Sequence, residues 1–251
     1  MKKSLLIGAT ALALTLASPF SQAHRVWIKP STTSVSGDSE WITFDVAVAN
    51  GIFHPDHFAY PAERLSVVSP SGNPVDIQNQ QKLRYRSVFD VELTESGTYK
   101  VFNASQSLVA FWKDEDGERH FWPGRGKTGT VEEFYEAVPQ DANDLNVMET
   151  ANRLETYVTL GAPTADNNKL TGKGLELKAL THPNDAYTGE PIDFQFFMSG
   201  DKAQGTKVIV VKDGEKYRDT AGGIEVTADK EGKISLQFDE PGMYWLEAEY
   251  E

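Results

Sequence analysis

The sequence has no cysteine in its 251 residues. No disulfide can staple the fold, so packing alone must hold it. Thiolate metal sites and cysteine nucleophiles are excluded for the same reason. Positive charge is in short supply: 24 Lys and Arg stand against 37 Asp and Glu, a net charge of −13. That balance argues against nucleic acid and anionic lipid as partners. It suits the attraction of cations and equally suits a merely solvated acidic surface. No Gly-x-Ser-x-Gly, phosphate-binding loop or His-Glu-x-x-His is present, which removes the sequence signatures of several large enzyme classes. Paired carboxylates are expected by number alone in a chain this acidic. Histidine is scarce, with five residues, so where each one falls carries information.

Long apolar runs are missing except at the start. Lys2 and Lys3 precede an apolar stretch from Leu5 to Ala17, and Ser18-Pro19 ends it. Ser21-Gln22-Ala23 then supplies small residues at the −3 and −1 positions of a cleavage site. A spanning helix needs about 20 apolar residues, so residues 1–23 read as a cleaved signal peptide. This predicts export to the periplasm, a mature chain that begins at His24, and no membrane insertion thereafter. The removed segment carries two lysines and no acid, so the mature chain is more acidic still.

Most of the remainder alternates as strands do. Glu40 to Val48 places Ile42, Val46 and Val48 on one face, with Trp41 out of phase at an edge. Tyr85, Ser87, Phe89, Val91 and Leu93 repeat with period two. Leu108–Trp112 and His120–Trp122 flank Asp116-Gly117, a hairpin signal. Thr130 with Glu133 three residues on predicts a capped helix that ends at Pro139. Strand patterns resume from Thr156 to Tyr250, separated by turns such as Asp213-Gly214 and Pro241-Gly242.

The two halves echo each other. Leu65–Val68 followed by Ser71-Gly72 parallels Val208–Val211 followed by Asp213-Gly214. Glu95-Ser96-Gly97-Thr98-Tyr99 parallels Glu240-Pro241-Gly242-Met243-Tyr244, the kind of turn and tyrosine that enter a late strand of an immunoglobulin-like fold. The expectation is an all-β protein of two tandem immunoglobulin-like β-sandwich domains with a short, partly helical connector. The first domain is expected over 24–123, the connector over 124–152 and the second domain over 153–251, the last with its closing strand absent and its edge open.

The histidines supply the candidate chemistry. A terminal His24 would offer its α-amine and its Nδ1 to one metal in a single chelate ring, and imidazole suits nickel, copper and zinc. His54-Pro55-Asp56-His57 places two imidazoles and a carboxylate within four residues. By itself the segment fits a metal-binding loop and an ordinary surface turn equally well. Strand direction favours the first: a strand that starts near His24 and an antiparallel partner over 40–49 bring the two segments to one rim. His120, beside the Asp116-Gly117 turn, is a further candidate, whereas His182 reads as a loop residue. Phe111, Trp112, Phe121 and Trp122 read as core cover before carbohydrate platform.

Ala23-His24-Arg25-Val26-Trp27-Ile28-Lys29-Pro30, taken with Asn50-Gly51-Ile52-Phe53-His54-Pro55-Asp56-His57, resembles the DUF4198 family. The resemblance implies exported bacterial proteins described as periplasmic components of nickel or cobalt uptake (the NikM-like group), built from β domains. The reading that follows is a non-enzymatic periplasmic protein for a divalent transition metal, nickel or cobalt, with copper or zinc as alternatives. His24, His54 and His57 would be its ligands, with Asp56 and His120 as further candidates. Its partners would be the metal ion and a membrane transporter or another envelope protein. Two rivals stand beside it: an interaction or glycan-binding module, and a copper oxidase with a histidine brace.

Overall fold

The computed structural model describes residues 24–251 apart from 125, 166–168 and 221. The expected signal segment, residues 1–23, lies outside the described residues. What is described is all-β, with one short α-helix among the described residues. In chain order the first part runs β1 (Arg25–Pro30), β2 (Ser34–Val35), β3 (Glu40–Ala49), β4 (Phe58–Ala59), β5 (Ser66–Val68) and β6 (Pro74–Val75). It continues through β7 (Gln78–Lys82), β8 (Ser87–Leu93), β9 (Gly97–Lys113), β10 (Arg119–Trp122), α1 (Val131–Ala137) and β11 (Asn143–Leu160). The second part holds β12 (Leu175–Ala179), β13 (Pro191–Met198), β14 (Asp201–Lys202), β15 (Lys207–Lys212), β16 (Ile224–Thr227), β17 (Lys233–Gln237) and β18 (Tyr244–Glu249).

Alternation decides the packing of the first part. In β8, Ser87, Phe89, Val91 and Leu93 are buried while the residues between them are only partly covered. One sheet has the order β1-β3-β8-β7, with β4 added to β3. It faces a second sheet, β2-β11-β9-β5-β6, with β10 added to β9. Ile42, Phe44, Phe89 and Val91 from the first sheet meet Val67, Tyr99, Val101 and Val158 from the second. Phe44 and Phe89 are cross-strand partners, and their rings stack at 5.1 Å. The Tyr99 hydroxyl accepts hydrogen bonds from the backbone N–H groups of Thr94 and Glu95, at 3.0 and 2.7 Å.

The second part repeats the plan on a smaller scale. β13, flanked by β12 and β17 and capped by β14, faces a sheet of order β16-β15-β18. Phe194, Phe196, Ile234 and Leu236 from one layer pack with Val208 and Val210 from the other. β18 lies at the edge of its sheet and pairs with β15 alone among the described strands. The Tyr244 hydroxyl donates to the Glu240 carbonyl at 2.7 Å, a counterpart of the Tyr99 corner.

The connector expected over 124–152 needs correction. Asn143–Leu160 is one strand, and it pairs with β9 from Leu160↔Gly97 out to Asn143↔Lys113. Residues 153–160 therefore belong to the first sheet pair and not to the second part. The pairing was hidden because residues 143–152 lie on the outer half of the ribbon that β11 forms with β9 and β10 and are mostly exposed on both faces, so no apolar period of two marks them. The expected helix does form, with both halves of the Thr130–Glu133 capping box made. It packs Phe134 and Val138 against Ala110, Trp112 and Trp122 on the ribbon.

Among the described residues, three groups of contacts join the two parts. At the first, Trp27, Ala47, Ala49 and Ile52 form a small core with Val211 and Trp245. At the second, Arg153 on β11 pairs with the buried Glu176 at 3.1 Å. Burial works against the charge of Glu176, but the Thr171 backbone and hydroxyl, the Gly172 N–H and Arg153 outweigh it and hold the carboxyl below its usual range. At the third, the His182 loop docks on Thr98 and Thr159.

His182 gives the third contact a pH dependence. Its Nδ1 accepts the Asn184 N–H at 3.1 Å, so the neutral ring carries its proton on Nε2, which lies 2.9 Å from Thr98 Oγ1. Burial pushes its pKa below the ordinary 6.5, against the opposing pull of the Thr164 backbone bond and Asp185. The unfolded ring thus takes up a proton at a higher pH than the folded ring. The stability it contributes is complete above 6.5 and is lost as pH falls through the lower folded value. Thermal melts between about pH 7 and pH 5 should show a falling midpoint for the wild type and a flatter curve for His182→Gln. Parallel curves for the two proteins would assign the effect to other groups.

Candidate metal centre

β1 and β3 are antiparallel, with Arg25 opposite Ala49. The start of one strand therefore lies beside the end of the other. β4 lines up on the other side of β3, with Phe58 opposite Val48. His24 precedes β1 and His57 precedes β4, so the two residues flank the end of β3. At about 4.7–4.9 Å per strand spacing, their backbones are two spacings apart, and the side chains close the gap. The imidazole rings stack at 3.9 Å between centroids with an interplanar angle of 8°. Both residues are solvent-exposed.

The loop that aims His57 is held at several points. Gly51 and His54 form an isolated bridge across its turn. Phe53 takes a left-handed backbone, φ 53°, which is rare for a residue of its size. Its ring packs edge-on to Trp27 at 5.8 Å, and Trp27 Nε1 donates to the Gly51 carbonyl at 3.3 Å. Asp56 closes the far end by accepting the Asn50 backbone N–H at 2.8 Å and the Asn50 side-chain amide at 3.2 Å. Burial opposes the charge of Asp56. The Asn50 hydrogen bonds and the positive charge of His54 more than offset it and hold the carboxyl below the usual range.

The five candidate positions therefore separate. His24 and His57 come together. Asp56 is engaged with Asn50 as a loop clasp, and His54 sits at the turn within electrostatic reach of that carboxylate. His120 stands apart on the ribbon, where its Nε2 lies 2.7 Å from Asp114 and its ring stacks on Trp112 at 5.4 Å. Among the described residues no group of three or more His, Asp or Glu converges in a form that could hold a metal ion. A pair of imidazoles is what the side chains offer, and a third nitrogen would be the α-amine that cleavage after Ala23 would create. The donor set is then all nitrogen, which fits divalent nickel, copper or zinc.

A set of supporting residues was not singled out from the sequence. Glu215, in the second part, accepts from Arg25 through both carboxylate oxygens, each at 2.7 Å. Its Oε2 also accepts the Ile52 N–H at 3.0 Å. The Arg25 guanidinium lies over the Trp245 ring at 5.3 Å, and Trp245 Nε1 donates to the Val26 carbonyl at 3.0 Å. Lys29 pairs with Asp213 at 2.8 Å. The signal for these contacts was present in Arg25-x-Trp27-x-Lys29, three side chains on one face of β1. Two cations and an indole on one strand face of an acidic chain call for an apolar bed rimmed by carboxylates.

An all-β chain that pairs two imidazoles where its first strand begins is the class the fold and the geometry define. The chain belongs to the DUF4198 family, a domain of unknown function, whose profile matches residues 21–251. Among curated proteins none matches the sequence. Among solved structures, a DUF4785 family protein from Legionella pneumophila is similar over 87% of this chain at 10% identity, with a TM-score of 0.25. The chain spans about half of that protein's length, 48%.

Proposed function

We propose that this is a non-enzymatic periplasmic protein that binds a divalent transition metal at its mature amino terminus. Nickel or cobalt is the first choice, with copper and zinc as alternatives. The observation that carries the reading is the stacking of His24 on His57 at 3.9 Å. The rings are close enough that a turn of each about its side-chain bonds would aim one nitrogen from each at a common ion, with metal–nitrogen bonds of about 2.0–2.1 Å. The α-amine of His24 adds a third donor from the same residue. The net charge of −13 favours cation over anion. Delivery to a membrane transporter or another envelope protein would follow from a site so open to solvent. For the architecture we propose tandem immunoglobulin-like sandwiches, a reading supported by the matched tyrosine corners at Tyr99 and Tyr244.

Titration calorimetry with nickel on the processed protein tests the site. His57→Ala should abolish measurable binding, and His54→Ala should leave most of it. Affinity should fall between about pH 8 and pH 5 as protons compete for the donor nitrogens. Full affinity in the His57→Ala protein would remove the pair as the site.

A second reading, an interaction or glycan-binding module, has one observation in its favour. Trp112 and Trp122 pack inward against α1, but Phe111 and Phe121 are 43% and 44% exposed as a cross-strand pair, their rings 5.2 Å apart. An absence of metal binding together with glycan or envelope-protein binding that is lost in Phe111→Ser would favour it.

A further inference from the structure

The two histidines belong to separate segments, and the bridge and clasp within the 50–57 loop do not by themselves fix that loop against the start of β1. His24 is the residue before β1, and its neighbour Arg25 reaches across to Glu215 of the second part. His57 ends a loop whose turn includes a left-handed Phe53. Among the described residues of the second part, one side chain hydrogen-bonds to both segments. Glu215 follows β15 by three residues, in the turn after Asp213-Gly214. Its carboxylate grips the Arg25 guanidinium with two 2.7 Å contacts and takes the Ile52 N–H at 3.0 Å. Arg25 adjoins His24, and Ile52 lies five residues before His57.

From this juxtaposition we infer that Glu215 is the positioning residue of the His24–His57 pair, and that the second part of the chain exists in this protein partly to set the metal site on the first. The inference rests on the metal-binding reading above and assigns a role that it left open. Both carboxylate oxygens converge on one guanidinium nitrogen, Arg25 Nη1, and this charge-assisted contact fixes the position of the first residue of β1. The third acceptor contact, to Ile52, carries that fixed geometry into the loop. The pair is about four-fifths covered, with side-chain exposures of 21% and 20%, so water competes for it only weakly. Trp245 completes the seat, with its ring under Arg25 and its Nε1 on the Val26 carbonyl. A residue on β1 and a residue in the 50–57 loop thus share one anchor, and the rings they orient meet.

The role is distinct from that of a stabilising ion pair, and the distinction is measurable. Glu215→Ala removes both grips. Glu215→Gln keeps one acceptor for Ile52 but gives up the charge pair with Arg25. Leu236→Ala, in the core of the second part and remote from Glu215 in its packing, lowers stability without touching the seat. Two readouts on the processed protein separate the cases. One is magnetic cross-relaxation between the ring protons of His24 and His57 in the metal-free state. The other is nickel affinity by calorimetry.

The expected result is that Glu215→Ala loses the ring-to-ring signal and binds nickel about 10- to 100-fold more weakly, the usual cost of losing a residue that orients a ligand. Glu215→Gln should fall between Glu215→Ala and the wild type. Leu236→Ala should keep both the signal and the affinity despite a lower melting temperature. If Glu215→Ala retains the ring contact, or if Leu236→Ala loses it to the same extent, the positioning role is overturned. If the wild type binds no nickel, the metal reading falls by itself. The ring contact in the metal-free protein then still decides whether Glu215 holds the two segments together.

Discussion

Replacing Trp27 with alanine is expected to destabilise the protein by about 3–5 kcal/mol, the usual cost of truncating a buried tryptophan or phenylalanine. Trp27 is 1% exposed, although it sits on the outer face of β1, the face turned away from the first core. What buries it is the rest of the junction: Ala47 and Ala49 beside it on β3, Ile52 and Phe53 in the histidine loop, and Val211 and Trp245 from the second part. The two alanines leave the hollow that the indole fills, so truncation opens a cavity at the junction. The hydrogen bond from Nε1 to the Gly51 carbonyl is lost as well.

The effect should also change the form of unfolding. With the indole gone, the contact at this end of the interface falls back on the Arg25–Glu215 and Lys29–Asp213 pairs, and partly exposed ion pairs contribute little by themselves. Scanning calorimetry should therefore show the Trp27→Ala protein melting earlier, with the second part separating as its own transition. A single transition at the wild-type temperature would mean that the indole is not the keystone of this junction. Because the loop bearing His57 rests on Trp27, nickel affinity should fall in the same variant.

The parts of the fold that were legible in the sequence are those whose physics is local. β8 was legible because Ser87, Phe89, Val91 and Leu93 all face one core and the residues between them are only partly covered. The helix was legible because a capping box is a four-residue event, and Thr130 and Glu133 carry it whatever surrounds them. The length of β11 was not legible. Its outer half has no buried face, and its partner strand begins to pair with it across the 29 residues between Lys113 and Asn143. The first contact between the two parts was also hidden. Arg25 and Glu215 are 190 residues apart in sequence, and nothing in either neighbourhood names the other.

The candidate site divides along the same line. That His24 and the 54–57 loop share a rim followed from the direction of two strands, which needs no side-chain detail. Which of the two loop histidines faces His24 depended on a left-handed Phe53, on an Asn50–Asp56 clasp and on the short β4 pairing. Pairs of this kind arise from tertiary packing, and local propensity is silent about them. Asp56 illustrates the point. A carboxylate between two histidines reads as a ligand, but the same carboxylate one residue after a proline reads equally as the clasp of a turn, and here it is the clasp.

Placing a single glycine in front of His24 in the processed protein is expected to weaken nickel binding on the order of 100-fold, at least the upper end of the cost of losing a supporting residue. The donor at stake is the α-amine. It exists only if the chain is cut after Ala23, and in the uncut chain the same nitrogen is an amide with no free lone pair. One added residue moves the amine by about 3.8 Å along the chain and turns the nitrogen beside the His24 ring back into an amide. The imidazoles of His24 and His57 remain, so the rings should still stack and the fold should be unchanged. The variant therefore isolates one donor from the geometry that surrounds it. Intact mass must first establish that the unextended protein begins at His24. Calorimetry on the pair of proteins then gives the answer. A hundredfold gap puts the amine among the metal's donors. Equal affinity leaves the two imidazoles as the whole of the site and removes the need for processing before the metal is bound.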